Sequence, residues 1–456
     1  MSHSEGAAEA PQTPPAAPSG GEPAQTLERS VGLGGAVLLG LGSILGTGVY
    51  VSLGIAAEQA GGAILLALAV AGLLATANGL SSAQLAAAYP ISGGTYEYGY
   101  RTIGPKTGFA AGWLYLCAKS ASAATAALGC ASYLLSLAGR EGHWERVALA
   151  AGIVLAVTTL AWRGLRRSNL GNALLVGISA GTLVLFVVLL APQADFSGLV
   201  LVPRGGEGWR GFFEACALLF VAYTGYGRVA TLGEEVSDPG RTIPRAVGVT
   251  LLVSFLIYTG VAAAALGAVG LGFGAGSGAP LEDVAQQVGP GWLAPALSLG
   301  ATAAMVGVTL NLVLGLSRVA LAMGRRGDLP AGLARLDASG TSAPAAVWTV
   351  GLVIAGLTLV GDVRLTWTFS AFTVLLYYAV TNLSALRLPA AARRFPRLIS
   401  WLGLAGCVGL APWVPWRVYL AGGGVLLVGF VVRALVRGSS SGPGTPTEEV
   451  GEEGPR

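Results

Sequence analysis

The sequence predicts an all-α polytopic membrane protein that crosses the bilayer about twelve times and whose first and sixth membrane spans are broken. Three observations lead to this prediction. Only 11% of the 456 residues are charged and 53% are hydrophobic, whereas soluble domains carry about 25% charged residues. Twelve apolar segments follow one another, most of them near the roughly 20 residues that a helix needs to cross a bilayer. The first and sixth segments have glycine clusters at their centres.

The apolar segments form one transmembrane domain, residues 29–436, between two polar tails. The tails, residues 1–28 and 437–456, are rich in Pro, Gly, Ser and Glu, a composition typical of disorder. The first tail has no basic stretch followed by a short apolar core, so we do not expect a signal peptide. The predicted spans are residues 31–57, 62–88, 107–137, 144–162, 170–191, 211–236, 246–269, 292–323, 345–360, 365–386, 398–412 and 418–436.

The order and charge of these segments predict the topology. Spans one to five, residues 31–191, and spans six to ten, residues 211–386, form two repeats, and residues 398–436 hold two extra helices. The loops on the side of the N-terminus carry 17 Lys and Arg residues, and the loops on the other side carry 6. Because basic loops stay in the cytoplasm, we expect a multi-pass protein of the cytoplasmic membrane with both termini in the cytoplasm.

The first span is interrupted by glycine. Gly42, Gly46 and Gly48 surround the hydroxyl groups of Ser43 and Thr47. Glycine in a helix interior costs about 1 kcal/mol relative to alanine, which favours opening of the helix. Lipid cannot bond to the freed backbone groups, so an opened helix is tolerated where it lines a cavity or a binding site. Alternatively, the glycines let another helix pack closely, and the cluster alone does not decide between the two.

The sixth span contains a second cluster, with Gly225, Gly227 and the charged Arg228. Glycine-interrupted spans at matching positions of two five-helix halves are typical of inverted-repeat transporters, so the pair favours binding-site breaks over close packing. Each break frees N–H groups, which suit a carboxylate, and C=O groups, which suit an ammonium group or a metal cation. A site that offers both fits a zwitterion such as an amino acid.

Five stretches of the sequence carry a family resemblance. They lie in the first span, around the second and third spans, after the sixth span and at the end of the eighth: residues 41–54, 89–98, 108–113, 233–245 and 317–330. Together they resemble the amino acid–polyamine–organocation superfamily, most nearly its bacterial permeases of the cationic amino acid transporter type. The resemblance implies a leucine-transporter-like 5+5 inverted repeat with an amino acid held at the two breaks.

The resemblance also implies roles for residues at the breaks. Thr47 and Gly48, with help from Gly46, would bind the substrate carboxylate, and Ile44 would face the amine together with carbonyl groups of the sixth span. The residues that would shape or gate the side-chain pocket are Tyr223, Thr224 and Tyr226. The predicted substrate-binding residues are Ser43, Ile44, Gly46, Thr47, Gly48, Ala222, Tyr223, Thr224, Gly225 and Tyr226.

One lysine lies in the middle of the third span. An ionisable group at that depth costs about 2.5–3.5 kcal/mol on insertion scales, so Lys119 is a functional candidate by default. Some proton-coupled members of the family carry a lysine in span five, where this chain has Ile178. We therefore hypothesise that Lys119 couples transport to protons. The alternative is a structural cation bonded to carbonyl groups of the first-span break.

Three further polar residues lie within the spans. Arg228 is a candidate for gating or for contact with the substrate side chain, with a snorkelling role as the alternative. Asn311 in the eighth span is expected to bond between helices more than to contact the substrate. Glu214 lies nine residues before the sixth-span break, about 13 Å along a helix. We expect it to face the surface rather than to attract cationic substrates.

The sequence predicts a transporter rather than an enzyme. His3 and His143 lie in a tail and a loop and the four cysteines lie in apolar runs, so we expect no catalytic site, metal site or cofactor. The expected partners are a small amino acid substrate, a proton and membrane lipid, without nucleic acid; the oligomeric state stays open. The alternatives are an amino acid exchanger, a carrier of polyamines or organic cations, and a non-transporting sensor or scaffold. The charge of the substrate is left open.

Overall fold

The computed structural model describes residues 31–89, 93–140, 142–163, 169–197, 202–230, 236–274, 276–337 and 343–440. Within these residues the chain is almost wholly helical, and β structure is limited to an isolated bridge between Val31 and Val236. The predicted all-α membrane fold is confirmed. Most of the two polar tails and parts of two matched motifs, residues 90–92 and 233–235, lie outside the described residues.

Sixteen α-helices follow one another along the described chain. The first and sixth predicted spans each contain two helices, and each other predicted span contains one helix that covers most of it. The short helices α4 and α11 lie between spans and were not predicted. The helices are α1 Leu33–Ile44, α2 Leu53–Ala60, α3 Ile64–Ala88, α4 Thr95–Thr102, α5 Pro105–Leu137, α6 His143–Trp162, α7 Asn169–Leu190, α8 Gly205–Tyr223, α9 Gly227–Ala230, α10 Pro239–Val269, α11 Pro280–Val288, α12 Leu293–Arg325, α13 Pro344–Thr358, α14 Val363–Leu386, α15 Arg397–Leu410 and α16 Trp416–Ser440.

Eight helical segments of the described chain are long and apolar enough to cross a membrane. The longest, Leu33–Ala88, has 56 residues and contains the first two predicted spans. The other predicted spans that fall short of this measure are the sixth, which is broken and carries charged residues, and the shorter ninth and eleventh. The last two have 15 and 14 residues in α13 and α15. Both are shorter than this measure requires and pack among longer helices.

The packing of the helices follows the expected relation between the two halves. α1 packs on α10, so the first span contacts the seventh. The equivalent contact in the other half is that of α8 on α3, between the sixth span and the second. In the same way, α5 packs on α14 as α12 packs on α7, and α5 packs on α13 as α12 packs on α6. Each contact has a counterpart when spans one to five are exchanged with spans six to ten, as in a 5+5 repeat. The bounds of the two repeats stay a prediction.

A buried carboxylate joins three elements at one end of the bundle. Asp328, in the turn after α12, is fully buried and accepts hydrogen bonds from Tyr96, at 2.9 Å, and from Tyr100. It also pairs with Arg433 Nε at 2.8 Å and Arg437 Nη2 at 3.0 Å, both on α16. Burial and the hydrogen bond to Asp328 raise the pKa of Tyr100 to about 12, so its hydroxyl stays a donor. These bonds fix α4 and α16 to the end of α12.

Candidate substrate-binding site

The two broken spans face each other across a cavity of about 70 Å³. This volume is space for roughly five water-sized groups, which suits a small ligand. The walls of the cavity come from both breaks and from α5, α12 and α14, which are the third, eighth and tenth spans. The site therefore lies where the two halves of the chain meet.

The first span is interrupted between α1 and α2. α1 ends at Ile44, and a π-helical turn, Gly48–Ser52, leads into α2. The two N–H groups that follow Gly48 both bond to Gly46 O, whereas Gly48 begins the turn and has no intrahelical carbonyl for its own N–H. The buried Thr47 Oγ1 has no hydrogen-bond partner in the described chain. Both donors are available to an anion in the cavity.

The sixth span is interrupted between α8 and α9, and Lys119 lies at this break. A 3₁₀ turn, Thr224–Tyr226, replaces the α-helix there. Lys119 is 8% exposed, and its Nζ donates a hydrogen bond of 2.8 Å to Thr224 Oγ1. That hydroxyl donates in turn to Val221 O at 2.7 Å. The alternative expectation, a bond from Lys119 to carbonyl groups of the first-span break, is not what the structure shows.

Glycine at each break also lets the two spans touch. A Cβ at Gly48 would lie 2.5 Å from Tyr258 Oη and 2.9 Å from the Cβ of Ala222. A Cβ at Gly225 would lie 2.5 Å from Ser43 O. Close-packed interiors leave no room for an additional carbon atom at such distances. The opened helix and the close packing, which the sequence offers as alternatives, therefore occur together.

A tyrosine from α10 connects the two breaks. Tyr258 Oη lies 2.8 Å from Ile44 O and 3.1 Å from Ala222 O. A hydroxyl has one proton, so it donates to one of these carbonyl groups at a time, and each carbonyl oxygen keeps a lone pair for another donor. Both are among the groups that the resemblance assigns to the substrate amine. Sequence reasoning missed Tyr258, because one tyrosine in an apolar span carries no signal for this role.

Most of the predicted site residues line the cavity. Gly46 does not, because it packs against α12. Tyr223 and Tyr226 are buried beside the cavity, with their rings against Tyr258 and Tyr378 respectively. The predicted residues that line the cavity are Ser43, Ile44, Thr47, Gly48, Lys119, Ala222, Thr224, Gly225, Arg228 and Asn311.

Sequence reasoning missed other lining residues on the third and tenth spans. Tyr115 and Ser122 lie four residues before and three residues after Lys119. The helical period places all three on one face of α5, so this signal was available once Lys119 was singled out. Trp367 and Tyr378 of α14 also line the cavity, but the pattern of the tenth span does not show which of its faces points inward.

The cavity leads toward the end of the bundle that carries α4. A second cavity of about 80 Å³ shares Tyr115, Gly227, Arg228 and Gly315 with the first. It extends along α12 to Arg318, which is exposed. The two cavities together form a path from the helix breaks to this end of the molecule.

The opposite end is closed by contacts of the broken spans. Arg364, at the start of α14, has Nη atoms 3.3 Å from Glu58 Oε2 of α2 and 3.9 Å from Glu214 Oε1 of α8. Gly211 of α8 packs directly against the backbone of Gln59, with no room for a Cβ. Glu214 is only 6% exposed. The expectation that it faces the surface is therefore wrong, because Arg364 from the tenth span reaches over it.

Known proteins similar to this chain are transporters. The amino acid permease family model matches residues 35–445. An uncharacterized transporter of Mycobacterium tuberculosis (strain H37Rv) is 40% identical over 416 residues, which are 90% of this chain and 92% of that protein. A branched-chain amino acid permease of Bacillus subtilis is 29% identical over 348 residues, 73% and 74% of the two chains. A cationic amino acid transporter of Arabidopsis thaliana is 27% identical over 314 residues, 64% and 51% of the two chains.

Proposed function

Because the chain belongs to the amino acid permease family, which confirms the resemblance of its motifs, we propose that it is a secondary active transporter of amino acids. It works by alternating access in the cytoplasmic membrane, with both termini in the cytoplasm, and it is coupled to protons. One observation carries this proposal: the two helix breaks border the same cavity, which also contains a lysine and a buried hydroxyl that has no partner among the described residues.

The first-span break holds the carboxylate of the amino acid. Gly48 N–H and Thr47 Oγ1 donate hydrogen bonds to it, and the N-terminal end of the following half-helix adds a favourable dipole. The amine binds to the carbonyl groups of Ile44 and Ala222, which it shares with Tyr258. These contacts bind only the groups that all amino acids have in common.

Transport requires the open and closed ends of the path to exchange. In the topology proposed from the basic loops, the end with α4 is cytoplasmic, so the described state is open to the cytoplasm. Opening of the other end separates Arg364 from Glu58 on the first span and Glu214 on the sixth. Partly exposed pairs of this kind contribute about 0–1 kcal/mol each, which suits contacts that break in every cycle.

Lys119 is the proton-coupling residue in this proposal. Its described partner is a neutral hydroxyl, Thr224 Oγ1, so both protonation states find a partner: the ammonium donates, and the free amine donates or accepts. The charged or titratable groups that share the cavity with it are Tyr115, Arg228 and Tyr378. Because Thr224 belongs to the sixth-span break, a change of charge on Lys119 acts directly on that break.

Uptake into proteoliposomes tests this function. Wild-type protein should accumulate amino acids from a labelled mixture when a proton gradient is imposed, and lose the accumulation when the gradient is collapsed. Lys119→Ala should remove the dependence on the gradient, whereas Lys106→Ala, at an exposed lysine in the first turn of α5, should keep it. Full-rate uptake by Lys119→Ala with unchanged pH dependence would contradict coupling at Lys119. No uptake or exchange of any amino acid or amine would contradict transport.

An exchanger would use the same site, and the same vesicles distinguish it. Exchange needs an amino acid inside the vesicle and proceeds without a gradient. A carrier of polyamines is disfavoured, because no Asp or Glu of the described residues lines either cavity.

A further inference from the structure

The charged side chains along the substrate path have one sign. Lys119 and Arg228 line the first cavity, and Arg228 and Arg318 line the second. Among the residues that the structure describes, no carboxylate lines either cavity. Walls with one sign of charge attract ligands of the opposite sign and repel ligands of the same sign.

We infer that the substrate is an acidic amino acid whose side-chain carboxylate binds Lys119 at the sixth-span break. This inference rests on the transport function proposed above and adds to it the substrate class and the residue that selects it. The α-carboxylate binds at the first-span break and the amine binds to carbonyl groups of both breaks, as they would for any amino acid. The second carboxylate extends across the cavity to the other break, so the substrate is of the glutamate or aspartate type.

The surroundings of Lys119 carry most of this inference. The side chain is 8% exposed, and its hydrogen bond goes to the neutral hydroxyl of Thr224. An ammonium group has three donors, so a ligand can accept bonds from Lys119 without displacing Thr224. A buried charge without a counter-ion is costly, and a carboxylate placed next to it removes much of that cost. An acidic side chain in the cavity provides this counter-ion.

Neutral donors on the same cavity fit a substrate with two carboxylates. Asn311 Nδ2 is buried and has no hydrogen-bond partner in the described chain, and the same holds for Thr47 Oγ1. Both residues line the cavity. Each carboxylate accepts several hydrogen bonds, and an unsatisfied buried donor costs free energy until it finds an acceptor. The cavity thus contains Lys119 and two neutral donors for which the described chain supplies no anion.

A cationic substrate meets the opposite situation. A lysine-like or arginine-like side chain would bring a second positive charge next to Lys119, in a cavity where little water screens the repulsion. It would also pass Arg228 and Arg318, which line the second cavity. Repulsion of the wrong ligand is an effective source of specificity. We therefore expect this chain to differ in substrate charge from its relative that is named for cationic amino acids.

Ligands of equal size and different charge test the inference. The purified full chain in lipid nanodiscs is titrated with L-glutamate, L-glutamine, L-aspartate, L-asparagine and L-arginine, and binding is measured by ligand-induced thermal stabilisation and by competition. Wild-type protein should bind glutamate at least about tenfold more tightly than glutamine, as expected for a hydrogen bond between charged groups. Aspartate should exceed asparagine in the same way, and arginine should bind more weakly than glutamine.

Substitution of Lys119 assigns the preference to this residue. Lys119→Met keeps an unbranched side chain and removes the charge, so the ratio of glutamate to glutamine affinity should fall about tenfold, toward one. Lys119→Arg keeps the charge and should keep a ratio well above one, which provides a second test if the Met variant does not fold. Lys106→Met is the matched control and should leave the ratio as in the wild type.

The outcomes separate this inference from the function on which it rests. Equal affinity for glutamate and glutamine in the wild type overturns the inference, while the transport proposal stands because amino acids still bind. A ratio that survives in Lys119→Met overturns the role given to Lys119. Absence of binding and transport for every amino acid overturns the proposed function itself.

Discussion

The two helix breaks face the same cavity but offer a ligand different chemistry. The first-span break presents backbone groups and Thr47 Oγ1, without a charged side chain. The sixth-span break bonds to Lys119 through Thr224 and is followed by Arg228. The first-span break suits the α-carboxylate that all amino acids share. The sixth-span break offers Ala222 O to the shared amine, and the charge of Lys119 beside it suits the side chain in which amino acids differ.

The packing of the breaks explains why this difference resides in side chains. Gly225 lies against Ser43 O, and Gly48 lies against Ala222, so the backbone of each break fixes that of the other. Neither backbone can change shape independently. The charge at the sixth-span break is instead set by Lys119, which reaches it from the neighbouring helix α5. In the proposed site, a substitution on the third span would therefore be enough to change the charge that the substrate side chain meets.

The strongest test of this mutual constraint is Gly225→Ala. The added Cβ would lie 2.5 Å from Ser43 O, a backbone atom that moves only if α1 moves. Overpacking of this kind costs about 1–3 kcal/mol. Uptake of every substrate should fall about tenfold or more, and the unfolding temperature should drop.

The matched control is Gly177→Ala, because a Cβ there meets nothing within 4 Å. It should leave uptake unchanged. Normal uptake by Gly225→Ala would mean that the two breaks do not constrain each other.

A smaller effect, independent of substrate charge, is expected at the first-span break. Thr47→Ala removes a donor to the shared carboxylate, and a hydrogen bond to a charged group contributes about 1.5–3 kcal/mol. The KM values for glutamate and for glutamine should both rise about tenfold or more, while Thr47→Ser keeps the hydroxyl and stays close to the wild type. A loss confined to glutamate would place its side-chain carboxylate at this break and reverse the comparison.

Loss of the Tyr258 hydroxyl, which connects the two breaks, should have a smaller effect than a substitution at either break. Tyr258→Phe removes the hydroxyl that lies 2.8 Å from Ile44 O and 3.1 Å from Ala222 O. A neutral hydrogen bond contributes about 0.5–1.5 kcal/mol, so the free energy of unfolding should fall by about 1 kcal/mol. The KM should change less than about threefold on the same grounds.

Tyr419→Phe provides the control, because Tyr419 also donates to a backbone carbonyl, Ala411 O, at 2.6 Å, outside the substrate cavity. It should cost similar stability and leave KM unchanged. If both variants altered KM equally, Tyr258 would have no special connection to the breaks.

The smallest effect is expected at the closed end of the path, where Arg364 joins the two broken spans. Arg364→Gln removes the pairs to Glu58 and Glu214, which contribute about 0–1 kcal/mol. The reporter is a variant that retains Cys216 as its single cysteine, because Cys216 is fully buried and lies two residues from Glu214. In this background, Arg364→Gln should make thiol labelling of Cys216 about two- to fivefold faster. Arg364→Lys should keep the wild-type rate. Unchanged labelling in Arg364→Gln would assign closure of this end to the packing of Gly211 on Gln59.

Hydropathy and glycine spacing were sufficient to predict the spans and their breaks, because both depend on local sequence. The same local signals missed the short helix Thr95–Thr102, because this helix is polar and aromatic and contains no apolar run. Its place is determined by the bonds from Tyr96 and Tyr100 to Asp328, which is more than 200 residues further along the chain.

Contacts between helices could not be predicted, because they depend on how each helix is rotated about its axis. Lys119 was singled out from its depth in the membrane, but its partner Thr224 is 105 residues away. Glu214 was assigned to the surface because the sequence does not show that Arg364 covers it. The pairing of Tyr258 with both breaks falls in the same class.

The ion pairs of Asp328 form only after the last helix, α16, has been synthesised. The chain is made from its N-terminus, and Asp328 precedes its partners Arg433 and Arg437 by 105 and 109 residues. Until α16 is inserted, this carboxylate lacks those two cations, and a buried carboxylate without a paired cation is costly. A chain that ends before α16 therefore lacks both cations that pair with Asp328, and the insertion of α16 supplies them.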